Sequence, residues 1–279
     1  MSQHYSIREL CEAFAISRSG YHAWVSRAPC ARAQADARLL PLVGQAHREG
    51  RREYGSPRVM RWLREHGHRC GRRRVARLMR QAGLSSHQRR RFKPVSLTDS
   101  NHDLPIAPNL LRQRLPTLQP DTVWVADITY VKTDEGFLYV AGVLDRCTRR
   151  CIGWAMGDTL ATTLPLAALD MALRQRRPPA GLVHHSDRGV QYASQAYRQR
   201  LAQAGVVPSM SRRGNCYDNA LMESFWSTLK RGLIYHTHFT TRDQARMAIF
   251  EWIEAFYNRT RFHSALGYKS PVDFETQLN

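Results

Sequence analysis

The stretch TVWVADITYV, residues 122–131, decides how this chain is read. Its apolar and β-branched run reads as a buried strand. One carboxylate, Asp127, sits in the middle of it. A carboxylate there is costly unless something pairs with it. Two explanations stand. Asp127 caps a strand end or pairs with a nearby Arg, or it shares a cation with other acids.

Two downstream segments bear on that choice. LVHHSDRGVQY, 182–192, reads as a second apolar strand that ends in Asp187 before a Gly turn. In open α/β sheets, sites form where strand ends face a crevice. NCYDNALMESFWSTLK, 215–230, reads as a helix capped by Asp218. Leu221, Phe225 and Leu229 recur at helical spacing and should pack on the sheet, while Asn219, Glu223, Ser227 and Lys230 fall on a neighbouring stripe. Glu223 can thus point at a sheet edge, with Asn219 and Lys230 beside it as candidate DNA contacts.

Three carboxylates on two strands and one helix can converge. Close together they raise one another's pKa, and divalent cations relieve the repulsion. Mg²⁺ prefers hard oxygens and bridges carboxylates to phosphate oxygens. Two such ions about 3.5–4 Å apart serve phosphoryl transfer. The expected cofactor is therefore Mg²⁺ or Mn²⁺, two ions per site with DNA bound, and the nucleophile is water or a DNA 3′-hydroxyl. Each residue also has a plainer reading: Glu223 as a surface acid, Asp187 as a turn former, His184 and His185 as core or strand-end residues. Asp145 reads as the end of a strand, partnered by Arg146, Arg149 or Arg150, and not as catalytic.

Around these segments the chain alternates. Strands are expected at 123–132, 137–145, 151–158, 182–187 and 206–211, with the turn TDEG joining the first two. Helices are expected at 162–175, 194–204, 218–231 and 241–258. Three antiparallel strands followed by alternating α and β make a mixed sheet with helices on its faces, an α/β core.

Ahead of the core the chain is helical and basic. In 6–27, Ile7, Leu10, Cys11 and Phe14 form one stripe, and Ser17 or Ser19 caps a second helix bearing Tyr21, Trp24 and Val25. In 38–83, Leu39, Leu42, Val43 and Ala46 form another stripe, and Ser56-Pro57 starts a helix that Gly67 ends. GRRRVARLMRQAG follows, with Val75, Leu78, Met79 and Ala82 inward and Arg72, Arg73, Arg74, Arg77 and Arg80 outward. A helix–turn–helix with an Arg-rich second helix suits DNA. A solvated Arg face is the plainer alternative, and the lack of acids on this helix favours binding. SSHQRRRFKP then brings Arg89, Arg90, Arg91 and Lys93, and five of the 13 prolines lie between 94 and 120. This reads as a basic, then Pro-rich linker with a short helix at 109–115.

Composition agrees with a polyanion partner. The 279 residues carry 42 Lys+Arg against 23 Asp+Glu, a formal charge of +19. Residues 1–115 hold 23 basic and 8 acidic residues, and the remainder 19 and 15, so the excess is N-terminal. The six Cys form no CxxC pair, and His66, His68 and Cys70 lack a second ligand cluster to make a zinc site. No signal peptide and no apolar run near 18 residues is present. A reducing, cytoplasmic protein without membrane contact, nucleoid-associated when on DNA, is expected.

WVADITY, HHSDRGVQY and DNALMESFWSTLK, with 35 residues between Asp187 and Glu223, resemble the integrase-type DDE transposases of the IS3 group of insertion sequences. FYNRTRFHSALGYKSPVDFE (256–275) resembles the group's closing motif; SRSGYHAW (17–24) and YGSPRVMRWL (54–63) resemble its N-terminal segments. The resemblance implies a ribonuclease H-like core whose metal-binding carboxylates are Asp127, Asp187 and Glu223. It implies cutting of donor DNA at an element end and joining of the freed 3′-hydroxyl to a new phosphate. The partners are double-stranded DNA at element ends and target, further copies of the chain on DNA, and an upstream-frame protein or frameshift fusion. Beginning at Met1 without sustained heptads, the chain looks like the second-frame product alone. A non-catalytic DNA-binding regulator or inhibitor of transposition is the alternative. The expected organisation is an N-terminal helical segment at 1–35, a basic helix–turn–helix-like domain at 36–84, a linker at 85–120, and the core with a C-terminal helical extension at 121–279.

Overall fold

The computed structural model describes residues 5–86, 102–113, 119–212 and 219–278. At its centre is a five-stranded sheet in the order β3-β2-β1-β4-β5. β1 (Val123–Thr133) and β2 (Gly136–Asp145) form an antiparallel hairpin, registered from Trp124↔Asp145 to Thr133↔Gly136. Gly136 has φ +109°, a conformation L side chains rarely adopt, which lets so tight a turn close. β3 (Cys151–Gly157) adds antiparallel to β2; β4 (Val183–Ser186) and β5 (Val207–Met210) add parallel on the other side. The sheet is mixed, as expected, with three consecutive antiparallel strands.

Alternation along β1 sends side chains to two cores. Trp124 and Ala126 face one core with α6 (Thr163–Arg176) and with α7 (Val190–Ala193) and α8 (Gln195–Gln203). Val125 and Val131 face the other with α9 (Ala220–Gly232) and α10 (Arg242–Glu251). The helix expected at 194–204 starts anew at Ser194, whose hydroxyl accepts from the Tyr197 N–H and caps α8. The helix expected at 241–258 changes pitch. After α10 a π turn, Trp252–Tyr257, widens the backbone spacing, as in the bond from Asn258 N to Ile253 O. That turn delivers the Asn258 amide to the sheet edge, where it accepts from Cys151 N (3.0 Å) and donates to Cys151 O (2.9 Å).

Upstream, α1 (Ile7–Ala13) and α2 (Arg18–Val25) are capped by Ser6 and Ser17 and leave Phe14 and Trp24 exposed. α3 (Ala31–Glu49), α4 (Ser56–Glu65) and α5 (Arg72–Gln81) enclose a third core of Val43, Val59, Leu63, Val75 and Leu78. α3 begins well before its apolar stripe and carries Pro41 inside. The cap of α4 is Gly55, one residue ahead of the expected Ser56. This bundle docks on the C-terminal segment. Tyr54 stacks on Phe262, its hydroxyl accepts from Phe262 N (2.9 Å) and donates to Thr260 O (3.2 Å), and Glu53 pairs with Arg261 at 2.8 Å in a buried bridge. α11 (Pro271–Thr276) follows, its Glu275 bridged to Arg150 and Arg176.

Two local expectations change. Asp145 takes no Arg partner among the described residues; fully buried, it accepts from the N–H groups of Asp121 and Thr148, both at 2.7 Å, and from the Thr148 hydroxyl. The loop amides sit closer than any guanidinium. The helix expected at 109–115 is a 3₁₀ turn, Leu110–Gln113, and 114–115 lie outside the described residues. No helix among the described residues is long and apolar enough to cross a membrane.

Candidate active site

β1 and β4 run in parallel with a fixed offset: Val123↔Val183, Trp124↔His184, Val125↔His185. Continued two positions, that register sets Asp187 beside Asp127. The two charges do sense each other. Burial, then the negative charge of Asp187, and more weakly that of Glu223, raise the Asp127 pKa well above the carboxylate range. The Ile128 N–H and the Trp226 indole act in the opposite direction. Among the described residues the buried Trp226 Nε1–H has no hydrogen-bond partner.

Asp187 is held in its own turn. Its Oδ1 accepts from Gly189 N at 2.9 Å, and its carbonyl accepts from the Ser186 hydroxyl at 3.0 Å. Behind it the two histidines belong to the core. His185 lies between the hydroxyls of Ser209 (2.8 Å) and Ser211 (3.0 Å), and His184 meets the Tyr197 hydroxyl at 3.1 Å. Burial pushes the His184 pKa down to about 3.

α9 covers the Asp127 side of the sheet. Gly142 pairs with Asp127 across the hairpin, and a Cβ there would stand 2.9 Å from Trp226 Cη2 and 3.4 Å from Met222 Cε. The missing side chain lets α9 approach. Asn219, at the cap of α9, is buried and donates from Nδ2 to Ala126 O at 3.2 Å. It is thus a clamp on β1. Its Oδ1 is buried with no hydrogen-bond partner among the described residues. Asp218, the expected cap, lies outside the described residues.

Glu223 is exposed in the first turn of α9, its pKa raised by partial burial. Lys230, partly buried further along the helix, stands over the Tyr130 ring at 5.0 Å; burial lowers its pKa, while Asp127 raises it. The structure thus brings Asp127 and Asp187 together, with Glu223 on the rim. Among the described residues, no three His, Cys, Asp or Glu side chains stand within reach of one metal ion.

The donor set nevertheless suits a hard divalent cation. Two adjacent carboxylates repel, a third acid is near, and an orphaned amide oxygen is anchored to the residue preceding Asp127. Gly142 and Trp226 were not read as site residues from the sequence, and Asn219, expected as a DNA contact, is found bonded to Ala126 O. The Gly–Asp pairing exists only once the hairpin register is known.

On the helical bundle, Arg72, Arg73 and Arg80 are exposed. Arg74 Nε pairs with Asp36 at 2.7 Å and Arg77 bonds the same carboxylate, holding the Asp36 pKa low. The paired acid comes from α3, so helix-local counting missed it. Arg73, Arg74 and Arg77 still line an open cavity with Arg32. Arg89, Arg90, Arg91 and Lys93 lie outside the described residues.

Residues 117–216 and 204–271 each match an integrase core domain family, and residues 34–92 match an HTH-like domain family. The chain is 50% identical over 270 residues to the "Insertion element IS600 uncharacterized 31 kDa protein" of Shigella sonnei, covering 97% of this chain and 98% of that protein. It is 38% identical over 275 residues to "Transposase InsF for insertion sequence IS3A" of Escherichia coli (strain K12), covering 98% and 95%. Among solved structures it is similar to a chain of the simian T-cell lymphotropic virus intasome in complex with PP2A regulatory subunit B56 gamma. There the TM-score is 0.49 at 16% identity, over 76% of this chain and 69% of that one.

Proposed function

The chain belongs to the IS3-group transposases, and from that premise we propose that it cuts DNA at element ends and joins the freed 3′-hydroxyl to a new phosphate. Asp127, Asp187 and Glu223 are the catalytic acids and hold two Mg²⁺ or Mn²⁺ ions when DNA is bound. The observation that supports this reading is the β1–β4 offset, which carried two positions past its last pair, Val125↔His185, sets Asp187 level with Asp127, with no cationic side chain of the described residues in an ion pair with Asp127.

Bound cations supply charge neutralisation at the attacking and leaving oxygens. The chain's own residues do the rest. β1 holds Asp127 within the sheet, the turn after β4 holds Asp187 through Gly189 N, and Asn219 ties the start of α9 to Ala126. In the first step a water oxygen bonds to phosphorus and the P–O bond to the element's 3′ oxygen breaks. In the second, that 3′-hydroxyl bonds to a target phosphorus and a target 3′-hydroxyl leaves. Double-stranded DNA, further copies of the chain and an upstream-frame protein are the proposed partners.

Asp127→Asn, Asp187→Asn and Glu223→Gln should each abolish Mg²⁺-dependent cleavage and joining, with DNA affinity retained. Cleavage surviving in all three variants would sink the assignment.

A further inference from the structure

We propose that the cleft between α4, α9 and the C-terminal segment binds non-scissile backbone phosphates of the DNA strand that enters the active site. This rests on reading the chain as DNA-acting and names where the strand is held. The cleft encloses about 390 Å³ and is lined by Arg58 of α4, Arg149 of the β2–β3 turn, Arg231 of α9, and Arg261 and His263. Glu53 also faces it, but it is bridged to Arg261 at 2.8 Å. Among the described residues no carboxylate forms an ion pair with Arg58 or Arg149.

The crowding of positive charge is felt inside the cleft. Burial, then the charges of Arg261, Arg58 and Arg149, push the His263 pKa down to about 2. Burial and Arg261 likewise lower that of Arg58. Partly buried like charges are costly unless a counter-charge completes them. The arginines are nonetheless fixed in place. Arg58 Nε donates to Phe262 O at 2.9 Å and Arg231 Nε to Ser227 O at 3.0 Å. Arg149 adopts φ +63°, a conformation rare for side chains other than Gly, Asn or Asp, and its carbonyl accepts from the Tyr257 hydroxyl at 3.0 Å. The Arg58 and Arg231 guanidiniums are thus held by hydrogen bonds and Arg149 by its backbone, and guanidiniums so placed suit phosphate oxygens.

Position points to DNA rather than a free anion. On α9, Ser224, Thr228 and Arg231 line the cleft, while Glu223 and Lys230 occupy the adjoining stripe of the same helix. A phosphate in the cleft therefore lies one helix flank from the acids. The cleft also joins the bundle to the core, so one strand held there would touch both.

The test is the salt dependence of binding by the full-length chain to a fluorescent 24-base-pair duplex, in EDTA so that nothing is cut. Arg149→Gln and Arg231→Gln should each reduce the slope of log affinity against log salt by about 0.9. Arg231→Lys should restore it. Arg174→Gln, a one-charge loss on the exposed surface of α6, should leave the slope unchanged. Should Arg149→Gln fail to fold, Arg231→Gln decides alone. Slopes equal to wild type in the glutamine variants, or an equal loss in Arg174→Gln, would overturn the proposal. Cleavage surviving in Asp127→Asn, Asp187→Asn and Glu223→Gln alike would instead overturn the catalytic assignment, and the slopes would be unaffected by that result.

Discussion

Asp127 shows how one residue's surroundings decide its chemistry. A lone acid in an apolar strand stays neutral or finds a partner, and here the nearest charged neighbours include another acid, Asp187. Its hairpin partner sharpens the point. Gly142 leaves room for Trp226, and a methyl group there would meet the indole at 2.9 Å. Gly142→Ala should therefore push α9 outward, costing about 1–3 kcal/mol of stability. Cleavage should fall about tenfold or more, with DNA affinity unchanged. Denaturant melts and single-turnover cleavage would show this, and wild-type values in both would refute the contact's importance. His184 offers a pH test. Its folded pKa, about 3, lies below its unfolded value of about 6.5. The unfolded chain thus binds the extra proton, and stability falls as pH drops from about 6.5 towards 3. The slope is about 1.4 kcal/mol per pH unit for this group. Urea melts between pH 7 and 5 should show the decline, and His184→Gln should flatten it.

At the scale of elements, the strands and the first hairpin were legible because period-two alternation and the Asp134–Glu135 turn are local signals. What was hidden depends on distant partners. Trp252, Ile253, Phe256 and Tyr257 fit an α-helical stripe as well as a π turn, so the change of pitch left no mark in the pattern. The break at Ser194 rests on a capping bond. Asp145 drew attention to the arginines near it in sequence, yet backbone N–H groups hold it, and backbone groups carry no sequence signature. Asp36 is 38 positions from Arg74 and joins it only when α3 packs on α5. The three acids were legible individually; that Asn219 is a clamp on Ala126 was not.

For the whole molecule, the bundle and the core meet through a small set of buried polar contacts around Glu53, Tyr54 and Arg261. Glu53→Gln should leave Arg261 buried without its counter-charge, costing about 3–5 kcal/mol. The resulting loosening should separate the unfolding of bundle and core in calorimetry, whereas a single unshifted transition would show the bridge to be dispensable. Most of the basic excess lies in the bundle and linker, so DNA binding should largely survive this change. The β1–β4 register has one more consequence, in the order of synthesis. The hairpin bearing Asp127 can form as soon as it leaves the ribosome, but its parallel partner follows 60 residues later and α9 later still. Such non-local pairings form slowly. A nascent chain therefore carries its basic bundle well before Asp127 gains its acidic neighbour Asp187.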